Sequence, residues 1–322
     1  MRTVTLPNTR LHVSALCLGT GELGAWLTGR DSERLLEEFL KLGGNFVDTA
    51  HCYAFWLPAG AGCSERELGR VVRTLGVRDQ LVIATKGGHP SGGAAYPRPD
   101  RYMEPELVTR DLMESLERLE METVDLYYLH RDDPRVPIDE IIDALNGHIR
   151  AGWVRAIGAS NWSTARIEQA NRYASEHGLR GFVISQVQWS LAIPNWQVTA
   201  DPTTRYVTEE DADWYARHAI PICAYTATAL GYFAGSAKGE QSFHNPVNAQ
   251  RRERAIHLAQ QLGVTATQVA LAWLLHQKPV TIPIFGTTNL EHLRECMRSA
   301  EIALTPEQVQ WLAHGDRSYA SS

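Results

Sequence analysis

Eight short apolar runs alternate with amphipathic segments along most of this chain of 322 residues. The runs are rich in β-branched and aromatic residues, which favours buried strands. Between them, apolar side chains recur at helical spacing, as at Ile138, Ile141, Ile142 and Leu145. Strands that alternate with helices form parallel sheets, and eight such units close into a (β/α)8 TIM barrel. The predicted strands are residues 16–18, 46–48, 81–86, 124–130, 154–160, 182–186, 220–225 and 280–284.

Two further elements flank the predicted barrel. Residues 2–13 carry Pro7, Asn8 and Thr9 between two short extended pieces, which predicts an N-terminal β-hairpin covering one end of the barrel. Residues 305–313 are typical of an extra C-terminal helix, with Thr305 as its N-cap and Pro306 at its first position. Because the chain contains no repeat or linker-like tract, we expect residues 1–322 to form a single domain.

Composition excludes several classes of function. A formal charge of -6 and a pI near 6.1 leave no basic face for nucleic acid. No stretch is apolar for long enough to cross a membrane, and the N-terminus lacks the profile of a secretion signal, so we expect a cytoplasmic protein. Its five cysteines are scattered, without the close pairs of a metal site or a disulfide framework. We therefore expect reduced thiols and no metal.

Three predicted strands end in residues suited to proton transfer, and a tyrosine follows the first of them. Asp48, Lys86 and His130 stand at the strand ends, and Tyr53 lies shortly after Asp48. Barrel enzymes place their active sites at the carboxyl ends of the strands. A phenol with a pKa of about 10 is a poor acid at neutral pH. We expect Lys86 to lower the pKa of Tyr53, and Asp48 to keep Lys86 charged and in place.

The strand ends that follow are polar as well. Ser160 with Asn161, then Gln186, then Tyr225 end the next three strands. Any one of them alone is most simply a residue held by loop backbone, but six polar ends in register favour a shared site. Long connections lie on the same side and are candidates for substrate loops. They are residues 54–64, 87–104, 189–211 and 227–250.

Each residue of the proton-transfer group has an alternative role. Asp48 suits a cap of the following turn, and His130 suits a rim position held by Asp132 or Asp133. Tyr53 has a similar structural alternative. Lys86 also suits a Schiff-base nucleophile, as in barrel aldolases, but that role requires a neutral amine. The neighbouring Asp48 works against it.

Taken together, the motifs resemble those of the aldo-keto reductases over essentially the whole chain. The matching runs are GGNFVDTAHCY at 43–53, ATK at 84–86, DLYYLH at 125–130, GASN at 158–161 and VALAW at 269–273. Gln186 and Tyr225 fall at the corresponding places between the last two runs. The resemblance implies a barrel that binds NADP(H) or NAD(H) without a Rossmann domain and transfers a hydride to or from a carbonyl carbon.

The residues themselves allow this chemistry. Ser160, Asn161 and Gln186 offer the donors and acceptors that a nicotinamide carboxamide requires, and Tyr225 offers a flat face for the ring. As negative charge grows on the carbonyl oxygen, Tyr53 would protonate it. His130 would hydrogen-bond to the same oxygen.

The adenosine end of the cofactor is predicted less directly. Gly231 lies where the family lays a loop over the phosphates, and Gly286, Thr287, Thr288 and His292 lie where an eighth helix would begin. The family often carries an Arg or Lys near Thr288, and this chain does not. The candidates for binding a 2′-phosphate are Thr287, Thr288, His292 and Arg294, with Lys238 from the long loop as a further cation. We therefore expect NADP(H) to be only slightly preferred over NAD(H).

Substrate signals are confined to aromatic residues near the loop side. They are Phe55, Trp56, Tyr96, Tyr102, Trp162, Trp189 and Trp196. Phe55 and Trp189 each closely follow a predicted site residue, so they are our substrate candidates. An aldehyde or ketone, such as a sugar-derived carbonyl, is the expected substrate. A cofactor-binding regulatory subunit with little catalysis is the alternative function, and the sequence leaves the oligomeric state open.

Overall fold

A closed barrel of eight parallel strands forms the centre of the computed structural model, which describes residues 1–195 and 201–315. Each strand pairs with its neighbours in chain order, and the last strand closes the ring by pairing with the first. The predicted TIM barrel is therefore confirmed. Its strands are β3 (Cys17–Gly19), β4 (Phe46–Asp48), β5 (Val82–Gly87), β6 (Val124–Leu129), β7 (Val154–Ser160), β8 (Ser185–Gln188), β9 (Ile222–Tyr225) and β10 (Thr281–Gly286).

Helices surround the barrel and bury its outer face. The helices within the described residues are α1 (Arg30–Lys41), α2 (Cys63–Leu75), α3 (Pro105–Leu119), α4 (Ile138–Arg150), α5 (Thr164–Glu176), α6 (Glu209–Arg217), α7 (Ala237–Phe243), α8 (Pro246–Leu262), α9 (Ala266–Leu275), α10 (Leu290–Arg298) and α11 (Pro306–His314). The predicted terminal helix is α11. Thr305 caps it by accepting a hydrogen bond from Gln308 N, and Pro306 opens it.

Alternation along the strands separates an inner core from an outer one. On β6, Leu126 and Tyr128 pack inside the barrel, whereas Tyr127 and Leu129 pack in the larger core between barrel and helices. Successive side chains of a strand point to opposite faces. The same parity places the last inward residue of each strand at the carboxyl end of the barrel, where a site can form.

The other end is closed by the predicted N-terminal hairpin. β1 (Thr3–Thr5) pairs antiparallel with β2 (His12–Ser14), and Asn8 occupies a left-handed conformation in the turn, with φ 58°. Leu6 is fully buried in the inner core. The hairpin thus covers the amino end of the barrel, opposite the end where the polar strand ends lie.

Two sequence predictions of local structure were wrong in detail. The sixth barrel strand is Ser185–Gln188 instead of residues 182–186, because Phe182 is held by the Asn171 side chain, whose Oδ1 accepts from Phe182 N at 2.7 Å. Residues 227–250 are also not one irregular loop, since they contain a 3-10 turn, α7 and the start of α8. Ser236 and Asn245 cap these two helices.

No helix in the described part of the chain is both long and apolar enough to cross a membrane. Each of the five cysteines is a buried free thiol.

One buried histidine outside the barrel predicts sensitivity to acid. Thr109 Oγ1 donates to Pro105 O at 2.7 Å, so it accepts from His148 Nε2 at 2.9 Å. His148 Nδ1 is buried without a partner. Burial lowers the pKa of His148 to about 4. Protonation would add a buried charge and a proton on Nδ1, for which the described residues supply no acceptor.

We expect this histidine to reduce stability as the pH falls from about 6.5 to about 4. Over that window the unfolded chain binds a proton here that the folded chain does not, which costs roughly 1 to 2 kcal/mol after allowing for solvent screening. In urea titrations across this pH range, His148→Gln should lose stability less steeply than the parent protein. His177→Gln, at an exposed position, should follow the parent protein. Equal slopes for all three proteins would contradict the assignment.

Candidate active site

The four predicted proton-transfer residues meet at the carboxyl end of the barrel. Asp48 ends β4, Lys86 lies near the end of β5, and His130 follows β6, all with inward parity. Lys86 Nζ donates to Asp48 Oδ2 at 2.6 Å and lies 2.8 Å from the Tyr53 hydroxyl oxygen. A third donation, to Thr49 O at 2.7 Å, completes the ammonium's hydrogen bonds. The lysine is fully buried, so these contacts fix its position.

Burial and charge compete in setting the pKa values of this group. Burial raises the pKa of Tyr53 above its ordinary value, and the Lys86 ammonium offsets only part of that rise. The expected influence of Lys86 is present, but the expected net lowering of the Tyr53 pKa is wrong. Burial alone would lower the pKa of Lys86, yet Asp48 and Tyr53 together raise it. The tyrosine is therefore a neutral phenol beside a charged amine.

His130 faces the pocket and not the rim acids. Its ring lies edge-on to Tyr53, with 5.9 Å between ring centroids, and its Nδ1 is 3.4 Å from Cys52 Sγ. Asp132 and Asp133 instead pair with Arg166 and Arg135. Burial, aided by the nearby Arg131, lowers the pKa of His130 well below its ordinary value. The imidazole is thus neutral at neutral pH.

The predicted nicotinamide residues lie beside this group. Gln186 Nε2 donates to Asp48 Oδ1 at 2.9 Å, which leaves its Oε1 to accept from an amide. Both polar atoms of the Asn161 side chain already have hydrogen-bond partners. Its Nδ2 donates to Ser160 Oγ at 3.0 Å, and its Oδ1 accepts from the Tyr225 hydroxyl at 2.7 Å. Asn161 also adopts a left-handed φ of 61°, a conformation that asparagine tolerates. We infer that Asn161 mainly orients Ser160 and Tyr225.

A cavity of about 340 Å³ opens among these side chains. Sequence reasoning missed some of its lining residues, because loop conformation and not strand parity brings them there. Those with reactive or charged side chains are Cys52, His89 and Arg131. Trp56, more than half exposed, forms an aromatic part of the wall.

Phe55 supports this wall from behind. Its ring stacks on Tyr96 at 27°, with centroids 5.5 Å apart, and meets Trp56 edge-on. The Tyr96 hydroxyl in turn lies 2.8 Å from His51 Nδ1. Phe55 therefore reaches the cavity through its neighbours, while Trp56 borders it directly.

The loop that carries His89 is anchored by a buried ion pair. Arg98 contacts both carboxylate oxygens of Asp111 at 2.7 Å, and Gly88 N donates to Asp111 Oδ2 at 2.9 Å. Both side chains of the pair are almost fully buried. A bidentate pair of this kind holds a loop in one geometry.

The structure does not bring Trp189 to this cavity. Its ring packs edge-on against Trp273 with centroids 5.7 Å apart, and it lines a separate cavity of about 470 Å³. The larger cavity holds none of the four proton-transfer residues. Trp196 lies outside the described residues.

The adenosine end offers backbone groups but little free charge. Gly231 has φ 79° inside the 3-10 turn Ala229–Ala234, and Gly286 ends β10. Asn289 Oδ1 accepts from the first amides of α10, including His292 N at 3.4 Å. Thr287 Oγ1 accepts from Asn289 N at 3.0 Å, and Thr288 is exposed.

Arg294, the predicted phosphate cation on α10, is engaged by acids. Its Nε donates to Glu38 Oε1 at 2.7 Å, and its Nη1 donates to Glu291 at 2.5 Å. Lys238 is exposed on α7. A 2′-phosphate would therefore compete with Glu38 and Glu291 for the charge of Arg294.

Comparison with known proteins identifies the barrel as that of an oxidoreductase. The chain belongs to the Aldo/keto reductase family, whose model matches residues 15–314. This confirms the resemblance that the motifs indicated. Members of this family reduce carbonyl groups with nicotinamide cofactors.

Similar proteins include a bacterial oxidoreductase, a fungal reductase and an aldo-keto reductase of known structure. The chain is 30% identical over 317 residues to the uncharacterized oxidoreductase YrpG of Bacillus subtilis, covering 95% of this chain and 93% of that protein. It is 27% identical over 339 residues to the norsolorinic acid reductase stcV of Emericella nidulans, covering 95% and 79%. The crystal structure of the thermostable aldo-keto reductase Tm1743 with the inhibitor epalrestat matches with a TM-score of 0.73 and 25% identity, over 98% of this chain and 100% of that one.

Proposed function

We propose that this chain is an NAD(P)H-dependent reductase of aldehydes or ketones in which Tyr53 is the general acid. The observation that carries the proposal is the 2.8 Å contact between the Tyr53 hydroxyl and the buried Lys86 ammonium, beside a cavity that His130 also lines. The remaining site residues fit a nicotinamide. Gln186 Oε1 and the Ser160 hydroxyl suit its carboxamide, and the Tyr225 ring suits its flat face.

Proton transfer would proceed along this group. When bound, the dihydronicotinamide supplies a hydride to the carbonyl carbon, and negative charge develops on the oxygen. Tyr53 donates its proton to that oxygen, which is more basic than a phenolate. Lys86 stabilises the phenolate left behind, since its ammonium lies in hydrogen-bond contact. The high pKa of free Tyr53 keeps the phenol protonated and ready to donate.

His130 would orient the carbonyl. The Cys52 thiol lies 3.4 Å from His130 Nδ1, and donation from the sulfur leaves Nε2–H as the donor for the substrate oxygen. Since the pKa of His130 is lowered by burial, the donor is a neutral imidazole. The substrate would lie toward the Trp56 face, which suits a flat or sugar-derived carbonyl compound.

A two-stage measurement tests the function. NADPH and NADH are each titrated into the protein, with tryptophan fluorescence as the signal. Their Kd values should lie within about tenfold of each other. The reason is that the 2′-phosphate of NADPH lacks a charge-assisted contact that would favour NADPH by about 1.5 kcal/mol or more. We expect NADPH to be slightly favoured. Addition of a small reactive aldehyde should then oxidise the bound cofactor at a measurable rate.

Other outcomes would point elsewhere. Tight cofactor binding without turnover on any carbonyl would favour a regulatory subunit. A borohydride-trapped adduct on Lys86 would favour an aldolase, and the absence of cofactor binding would exclude the proposal.

A further inference from the structure

Three turns of the barrel mouth bring together one sulfur and two imidazole groups. Cys52 lies in the turn after β4, His89 after β5 and His130 after β6. Their ligand atoms, one from each residue, all lie within 4.8 Å of one another. Because the three residues come from separate turns, their spacing along the chain gave no metal signal.

The distances approach those of a tetrahedral metal site. Zinc binds sulfur at about 2.3 Å and nitrogen at about 2.0 to 2.1 Å, which places the two ligand atoms about 3.6 Å apart. Cys52 Sγ and His130 Nδ1 are 3.4 Å apart. A shift of about 1 Å by the third ligand would complete the set. That ligand, His89, has a partly buried side chain, so rotation about its side-chain bonds can supply the shift while the Arg98–Asp111 pair holds the loop backbone.

The orientation of His89 suits coordination. Its Nδ1 lies 2.8 Å from Pro90 O, so this nitrogen carries the proton and donates to the carbonyl. Nε2 then keeps its lone pair. Histidines that bind metals commonly donate their other nitrogen to a backbone carbonyl in this way. The mixed sulfur and imidazole set favours zinc-like ions over calcium or magnesium, which require oxygen ligands.

We propose that Cys52, His89 and His130 bind a divalent zinc-like cation at the mouth of the pocket and that the bound ion inhibits carbonyl reduction. Binding forms one metal–sulfur and two metal–nitrogen bonds, and the Cys52 thiol proton leaves to the solvent. A fourth position remains for water. The ion and its water would occupy the space beside Tyr53 that the carbonyl oxygen requires. The inhibitory step, unlike the binding step, depends on the proposed reductase function.

Cobalt is the probe for binding, because a cobalt–thiolate bond gives a near-ultraviolet charge-transfer band that reports the cysteine directly. The full-length protein, freed of metal by chelation, should develop this band with one equivalent of Co²⁺ and lose it when Zn²⁺ is added. Cys52→Ala should abolish the band, and His89→Gln should weaken cobalt affinity by more than about 100-fold. Cys296→Ala removes a buried thiol on α10, outside the cluster, and should behave like the parent protein.

Circular dichroism checks that each variant is folded. No band in the parent protein, or a band that persists in folded Cys52→Ala, would overturn the site. Retention of full cobalt affinity in His89→Gln would overturn the assignment of the third ligand.

Inhibition is measured separately, as each variant's rate with Zn²⁺ relative to its own rate without metal. The parent protein and Cys296→Ala should lose at least about tenfold in activity at saturating Zn²⁺, whereas Cys52→Ala should need far more metal for the same loss. If the protein binds one equivalent of cobalt but its rate of carbonyl reduction is unchanged by Zn²⁺, the metal site would stand and the inhibition would be refuted. Failure of turnover in all metal-free proteins would refute the reductase function without touching the binding result.

Discussion

Tyr53→Phe should lower kcat for aldehyde reduction by about 10²- to 10⁴-fold, the usual range for loss of a positioned general acid. The substitution removes the hydroxyl that contacts Lys86 and keeps the ring that packs edge-on to His130. Lys86 retains its bonds to Asp48 and Thr49 O, so the fold should persist. Steady-state rates with saturating cofactor and aldehyde give the measurement.

Cofactor binding distinguishes an acid from a structural residue. We expect the Kd of NADPH for Tyr53→Phe to stay within about threefold of the parent value, because the cofactor candidates Ser160, Gln186 and Tyr225 are untouched. Tyr173→Phe, which removes a surface hydroxyl bonded to Asp143, is the matched control and should keep full activity. A Tyr53→Phe enzyme that turned over at the parent rate would disprove the acid assignment.

Strand parity explains why the centre of the site could be read from the sequence. Phe46 and Asp48 alternate with Val47 on β4, just as Ala84 and Lys86 alternate with Ile83 on β5. In a closed barrel, inward residues at neighbouring strand ends must converge. A polar residue at an inward position near the end of an apolar strand is therefore predicted to lie close to the equivalent residues of the neighbouring strands.

The same parity, applied further, would have excluded Trp189 from the cavity. Val187 on β8 packs in the outer core, and Trp189, two residues later, has the same outward parity. Nearness to Gln186 along the chain favours Trp189 as a cavity residue, whereas parity excludes it. Closeness along a strand does not mean closeness in space when side chains alternate.

Loop contributions could not be obtained in this way. His89 and Trp56 reach the cavity through turns that lack a repeating geometry, and the Arg98–Asp111 pair that fixes one loop joins residues on different elements. Sequence patterns also do not give the net pKa of Tyr53, because burial is a property of the packed structure. Sequence patterns indicate which charges are near one another. They do not indicate how much water is removed around them.

The largest stability effect is expected from Lys86→Met. Lys86 and Asp48 are a buried ion pair with exposures of 0% and 1%, joined at 2.6 Å. Removing the ammonium leaves a buried carboxylate whose remaining side-chain donors are Gln186 Nε2 at 2.9 Å and the Tyr53 hydroxyl at 3.4 Å. Breaking one half of such a pair usually costs about 3 to 5 kcal/mol. We expect the urea midpoint of Lys86→Met to fall accordingly, together with loss of turnover.

A double variant tests whether the unpaired charge is the cause. Asp48→Asn removes the carboxylate charge but keeps an oxygen that Gln186 can contact, so Lys86→Met/Asp48→Asn should be more stable than Lys86→Met alone. The coupling between the two changes should be about 2 kcal/mol or more, as expected for contacting buried charges. Simple addition of the two single effects would mean that Lys86 stabilises the barrel by packing. In that case the Lys86 charge would act on Tyr53 and would not stabilise the fold. The double variant would still lack activity, because Tyr53 has lost its ammonium partner.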